Sequence, residues 1–211
     1  MRRPAQPSPG LQPRPASRRC AGDRGQTIAV YIVAMAALFF LAFAYFAVGQ
    51  ASVTRNGAQT AADAAALAAA REYRDEVGAD FLKALTTGDL TALATLLTGL
   101  GPDDGAACSA ADSFAGDNDA DVRSCQRVNG PPGYTVGIRT RGTVGSSVIH
   151  GTQDLHATAS ATAVVEPRCR AGDKDGHAVR FTCDDGDLTV DPTAAGFLLD
   201  LADFYSVHLS K

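Results

Sequence analysis

The chain has 211 residues, 45% of them hydrophobic and 20% charged, with a formal net charge of −4. Residues 1–27 carry six arginines against Asp23 alone, a net +5, and 28–48 are uncharged, so residues 49–211 hold −9. A basic arm without interleaved aromatics, followed by an acidic remainder, excludes nucleic-acid binding as the main role.

Residues 1–27 contain half of the ten prolines and little that could build a core, and they read as a disordered, basic cytoplasmic arm. From Gly25 to Thr54 no residue is charged. The apolar part, residues 28–48, holds Leu38, Phe39, Phe40, Leu41, Phe43 and Phe46, with Tyr31 and Tyr45 near its ends. At about 1.5 Å per residue it matches the roughly 30 Å hydrocarbon core of a bilayer. It reads as a single transmembrane helix with the lipid bilayer as its first partner. Arginines retained on the inner side give a cytoplasmic N-terminus and an extracytoplasmic C-terminal part. A cleaved secretory signal is the competing reading. Its apolar region is shorter, about 7–15 residues, and Ala47-Val48-Gly49 is its one passable cleavage site here.

Residues 49–76 extend the helix, because residues 61–70 hold eight alanines, one leucine and Asp63. Gly49 and Gly57 are the places where it would bend. The face of Ala and Leu67 has little bulk and suits a closely packed neighbour. Asp63, the one charge in the alanine string, is expected to face water or an assembly partner. Ala66 is the position from which an assembly contact would be probed.

Residues 77–211 read as an exported α+β domain. Gly78 interrupts, Asp80 is the expected cap of a short helix with Phe81, Leu82 and Leu85, and Gly88-Asp89 restarts another through Leu90, Leu93, Leu96, Leu97 and Leu100. Gly101 to Gly105 ends it, and Ala106 to Asn129 reads as polar loop. Tyr134, Val136, Ile138 and Thr140 alternate with polar residues as in a half-buried strand, with Val144–Ile149 as partner. Ala157, Ala159, Ala161, Ala163 and Val165 give a second strand one methyl-rich face, suited to the alanine helix. Phe197, Leu198, Leu201, Phe204 and Tyr205 suggest a final amphipathic helix after Asp191-Pro192.

Cys20 lies on the inner side, where thiols stay reduced; Cys108, Cys125, Cys169 and Cys183 lie outside, where they oxidise. Proximity favours the pairs Cys108–Cys125 and Cys169–Cys183 among the three connectivities. A zinc site is the rival, but no histidine stands at ligand spacing from a cysteine.

Arg24-Gly25 before the apolar run, then Gln59, Ala61, Ala62, Asp63, Ala65, Ala66, Leu67 and Ala68, closely resembles the N-terminal region of the TadE/TadG-like proteins of Flp pilus assembly. The resemblance covers residues 24–71. TadE-type members and related pilins usually carry a glutamate near the start of the apolar run, where this chain has Ala29, Val30 and Tyr31. An acid near the outer end is also missing around Ala47. The resemblance therefore implies a membrane-anchored, pseudopilin-like or assembly-accessory protein, with partners in a pilus or secretion assembly and homo-oligomer formation through the N-terminal helix.

No catalytic, cofactor-binding or metal site is expected. Asp117 to Asp121 begins like a calcium loop, but Val122 stands where glycine is required and Val128 where glutamate is. Asp184-Asp185-Gly186-Asp187 reads as a turn. Gly145-Ser146-Ser147 is not a nucleophile elbow. His150 or His156 beside Asp154 is more simply a surface strand histidine. The alternative function, from another class, is a tethered exported binding domain whose disulfide-bonded loops recognise a surface partner or ligand.

Overall fold

The computed structural model describes residues 26–99, 105–143 and 154–210. The basic arm with Cys20, Arg24 and Gly25, the expected strand at 144–149 and His150 lie outside them, as does most of the Gly101–Gly105 stop. The chain divides into two units, residues 1–43 and 44–211. In the first, every described residue is helical, and its apolar side chains are exposed.

Helix α1 is assigned over Gln26–Glu76 without a break at Gly49 or Gly57. Alanine gives its later turns the highest helix propensity, and burial then follows one broad face. Ala58, Ala61, Ala62, Ala65, Ala66, Ala69, Ala70 and Tyr73 have no exposed surface. After Val77, α2 runs Gly78–Thr87 with no side-chain cap, so Asp80 lies inside its first turn and does not cap it. Gly88, at φ +66°, ends α2: its N–H reaches the Leu85 carbonyl at 3.1 Å, and the Asp89 N–H reaches Ala84 at 2.9 Å. This double closure is a Schellman motif, which needs the left-handed residue glycine supplies. Asp89 then caps α3 (Leu90–Thr98), accepting from the Ala92 N–H at 2.9 Å.

The segment read as polar loop is instead helix α4 (Ala106–Asp117) followed by strand β1 (Ala120–Val128). Two things hid them. The inward stripe of α4 is only Ala107, Ala111 and Ala115, all fully buried but too small to register as amphipathic. In β1 a bulge between Val122 and Ser124 shifts the register, so inward residues change from Ala120 and Val122 to Cys125, breaking the two-residue period.

Strands β1, β2 (Gly133–Thr143), β3 (His156–Pro167) and β7 (Tyr205–Leu209) form one antiparallel sheet in the order β1-β2-β3-β7. The expected alternation holds along β2, where Tyr134, Val136, Ile138 and Thr140 are buried. Along β3, Ala163 and Val165 are buried and Ala157, Ala159 and Ala161 pack on the core as expected, but Val164, on the opposite face, is buried as well. Gly133 sits so close to β3 that a Cβ there would stand 2.0 Å from the Ala163 carbonyl oxygen, a spacing only glycine permits. Strands β4 (Cys169–Asp175), β5 (Ala178–Cys183) and β6 (Gly186–Val190) form a second antiparallel sheet, with Cys169 directly opposite Cys183.

The expected C-terminal amphipathic helix is absent. Leu201–Asp203 make a single 3-10 turn and Tyr205–Leu209 is a strand; Leu198 is 89% exposed. The free edge of β3 offers five residues a ladder, and Tyr205 and Val207 alternate inward as that pairing needs. Phe81 of α2, Phe181 of β5, Phe204 and Tyr205 then meet in one aromatic cluster, with centroids 4.7 to 6.3 Å apart. That cluster fastens the second sheet and the C-terminal segment to α2.

Replacing Phe81 by alanine empties the centre of the cluster and should lower unfolding stability by about 3–5 kcal/mol in denaturant titration. Ala65→Leu forces a larger side chain into a closed interface and should lower it by about 1–3 kcal/mol. The Tyr205 hydroxyl donates to the Leu96 carbonyl at 2.9 Å, and burial raises its pKa above the ordinary value. The unfolded tyrosine releases its proton first, so this contribution is complete below about pH 10 and is lost as pH rises further. The thermal midpoint should therefore fall above about pH 10, less steeply in Tyr205→Phe, which loses about 1 kcal/mol at neutral pH.

Candidate functional site

Two stretches of α1 behave in opposite ways. Over residues 28–48 the large side chains are exposed, among them Ile28, Leu38, Phe39, Phe40, Phe43 and Phe46. A helix of a water-soluble core would hide these residues; this one is long and apolar enough to cross a bilayer and turns them outward.

From Ala58 the pattern reverses. Within the string predicted from sequence, Ala61, Ala62, Ala65 and Ala66 are fully covered, Ala68 is nearly so, and Leu67 packs on the same core. The alanine face is thus occupied by the protein's own domain, and Ala66 is not an outward assembly surface. Asp63 is half-buried and accepts a hydrogen bond from the Gln59 Nε2 at 2.8 Å. Both border a shallow cavity of about 270 Å³, together with Ser160, Ala161, Thr162, Leu209 and Ser210. Arg24 and Gly25 lie outside the described residues.

One turn beyond the string, Tyr73 is clamped. Its ring meets that of Tyr134 edge-on at 5.7 Å, and the Arg127 guanidinium lies 4.6 Å from its centroid while donating to its hydroxyl. Cation–ring contact and hydrogen bond together tie the end of α1 to β1 and β2. Sequence reasoning missed this group. The only signal was an aromatic residue at helical spacing from the alanines.

The disulfides join Cys108 to Cys125 and Cys169 to Cys183, as proximity favoured. The first ties α4 to β1; the second closes the β4–β5 hairpin. Beside the second, between α3 and that hairpin, lies an open cavity of about 680 Å³ lined by Leu97, Arg168, Arg170 and Thr182 among others.

The remaining candidates are dispersed. Asp117 ends α4, Asp119 adopts φ +53°, and Asp121 in β1 is bound by Arg141 at 2.8 Å, which raises the pKa of that guanidinium. Asp184 and Asp185 form the β5–β6 turn, Gly186 and Asp187 open β6, and Asp185 is paired to Arg168. The Asp191 carboxylate accepts from the Thr193 hydroxyl and N–H, which lowers its pKa. His156 binds the Thr140 carbonyl through Nδ1 at 2.8 Å, and His208 approaches Glu166 at 3.8 Å. Among the described residues no three His, Cys, Asp or Glu side chains are grouped to hold a metal ion.

The family model described as "Putative Flp pilus-assembly TadE/G-like" matches residues 25–72. Neither the curated proteins nor the solved structures include a significant match to the chain. The matched stretch begins one residue before α1 and takes in the exposed apolar turns, the Gln59–Asp63 pair and the buried alanine face. Residues 25–72 are therefore similar to the Flp pilus-assembly TadE/G-like family, and they lead into a disulfide-bonded α+β unit outside the matched stretch.

Proposed function

We propose that the protein is a membrane-anchored, structural rather than catalytic, component of an Flp/Tad-type pilus-assembly apparatus, pseudopilin-like in build. The family match over residues 25–72 carries this reading. The exposed apolar surface of residues 28–48 supports it, because such a surface needs lipid or other helices around it. Association with other membrane helices falls to residues 28–57, since the alanine string downstream is covered. The arginine excess of the first 27 residues supports a cytoplasmic N-terminus with the disulfide-bonded unit outside.

A second reading has one observation in its favour. The cavity beside Cys169–Cys183 is lined by exposed Arg170, by Arg168 in its pair with Asp185 and by Asp184, a polar rim at a disulfide-closed hairpin that suits a tethered domain binding a polar ligand.

Membrane-impermeant maleimide tests the topology in intact cells. Leu198→Cys should label from outside, and native Cys20 should label only after permeabilisation; the reverse pattern overturns the orientation. Photo-crosslinkers at Phe40 and Val53 should give adducts with other membrane proteins of the apparatus, while one at Ala66 gives none. Absence of adducts from every position in 28–57 would count against an assembly role.

A further inference from the structure

The chain has three asparagines, Asn56, Asn118 and Asn129, and two of them, Asn56 and Asn129, precede a glycine. An asparagine has an internal reaction open to it: the backbone nitrogen of the next residue attacks the side-chain amide carbon. A following glycine favours the attack, because it puts no side chain beside the nitrogen and lets the backbone turn. The structure treats the three sites differently.

Asn56 and Gly57 lie inside α1, which runs without interruption over Gln26–Glu76. There the Gly57 N–H belongs to the helical ladder, and the backbone between the two residues is held in the helical conformation. Asn118 directly follows α4. Its Nδ2 donates to the Phe114 carbonyl at 2.8 Å, and the Asp119 N–H that would attack is bound to the Gly116 carbonyl at 3.1 Å. Both reacting groups are engaged, and Asp119 carries a side chain besides.

Asn129 has none of these protections. It stands with Gly130 in the turn between β1 and β2, and both residues are exposed. Among the described residues, neither its side-chain amide nor the Gly130 N–H makes a hydrogen bond. Gly130 has φ +74°, and nothing lies within 4 Å of where a Cβ on it would stand. The nitrogen and the Asn129 Cγ therefore have room to close a succinimide ring.

We infer that Asn129 is a site of spontaneous covalent modification, its side-chain amide converting to an acid through a ring formed with Gly130. The Gly130 nitrogen gives up its proton and forms a bond to the Asn129 Cγ. The Cγ–Nδ2 bond then breaks, and ammonia leaves carrying that proton. Water opens the ring at either carbonyl. One opening gives aspartate; the other gives isoaspartate, whose main chain runs through the former side chain. The new carboxylate stands two residues along the chain from Arg127, which holds Tyr73 at the end of α1.

The test holds the full chain in detergent micelles at neutral and at mildly alkaline pH, digests it in acid and maps it by tandem mass spectrometry. The amide-to-acid mass gain should accumulate at Asn129, about tenfold faster per pH unit, because the attacking nitrogen must ionise. At Asn56 it should be at least about tenfold slower than at Asn129, since reaction there waits on local opening of the helix. Short peptides spanning each site, with no fold to protect either, should react at similar rates. Fragmentation should show isoaspartate together with aspartate at position 129. Asn129→Gln, a change in an exposed turn, should keep the thermal midpoint and remove the signal. No gain at Asn129 over a period in which its peptide converts overturns the site. Aspartate alone overturns the ring in favour of direct hydrolysis. Equal rates at Asn56 and Asn129 in the folded chain overturn the protection assigned to the helix.

Discussion

The fold depends on the buried alanine face of α1, which shares one core with the four-stranded sheet. The inward residues of this helix end at Cβ, and β3 brings alanines of its own to the same core. Such an interface buries little area per residue, so it must be long and complete to be worth much. It is both: the fully covered positions run from Ala58 to Tyr73, where the Tyr134 ring and the Arg127 guanidinium supply the bulk the alanines lack.

This arrangement separates two tasks along one helix. Over residues 28–48 the large apolar side chains turn outward; from Ala58 small ones turn inward. The change in residue size, more than any change in polarity, marks where α1 stops serving its surroundings and starts serving its own domain. The aromatic cluster around Phe81 works on the opposite principle, a few large rings holding α2, the second sheet and the C-terminal segment together.

Much of this was legible in the residues. The apolar run, the end of α1 near Glu76, the inward faces of β2 and β3 and both disulfides follow from period, propensity and proximity. The failures have physical reasons. Helix α4 buries only alanines, and the β1 bulge reverses its facing, so neither presents a clean period. In the C-terminal segment Phe204 and Tyr205 fit a helical spacing and a strand equally well. The vacant edge of β3 decided between them, and that is a property of the tertiary structure. The Tyr73 clamp was out of reach for the same reason.

The disulfides have a mechanical consequence. Both bridges lie between residues 108 and 183, and neither crosses to α1. Tension carried along the helix would therefore meet no covalent stop where α1 joins the sheet. It would be resisted by the burial of the alanine face, then by the Tyr73–Arg127 contact and the peptide link into α2. The crosslinked parts would keep their shape while the helix peeled away, so the joint that yields first under load is the one built from the smallest side chains.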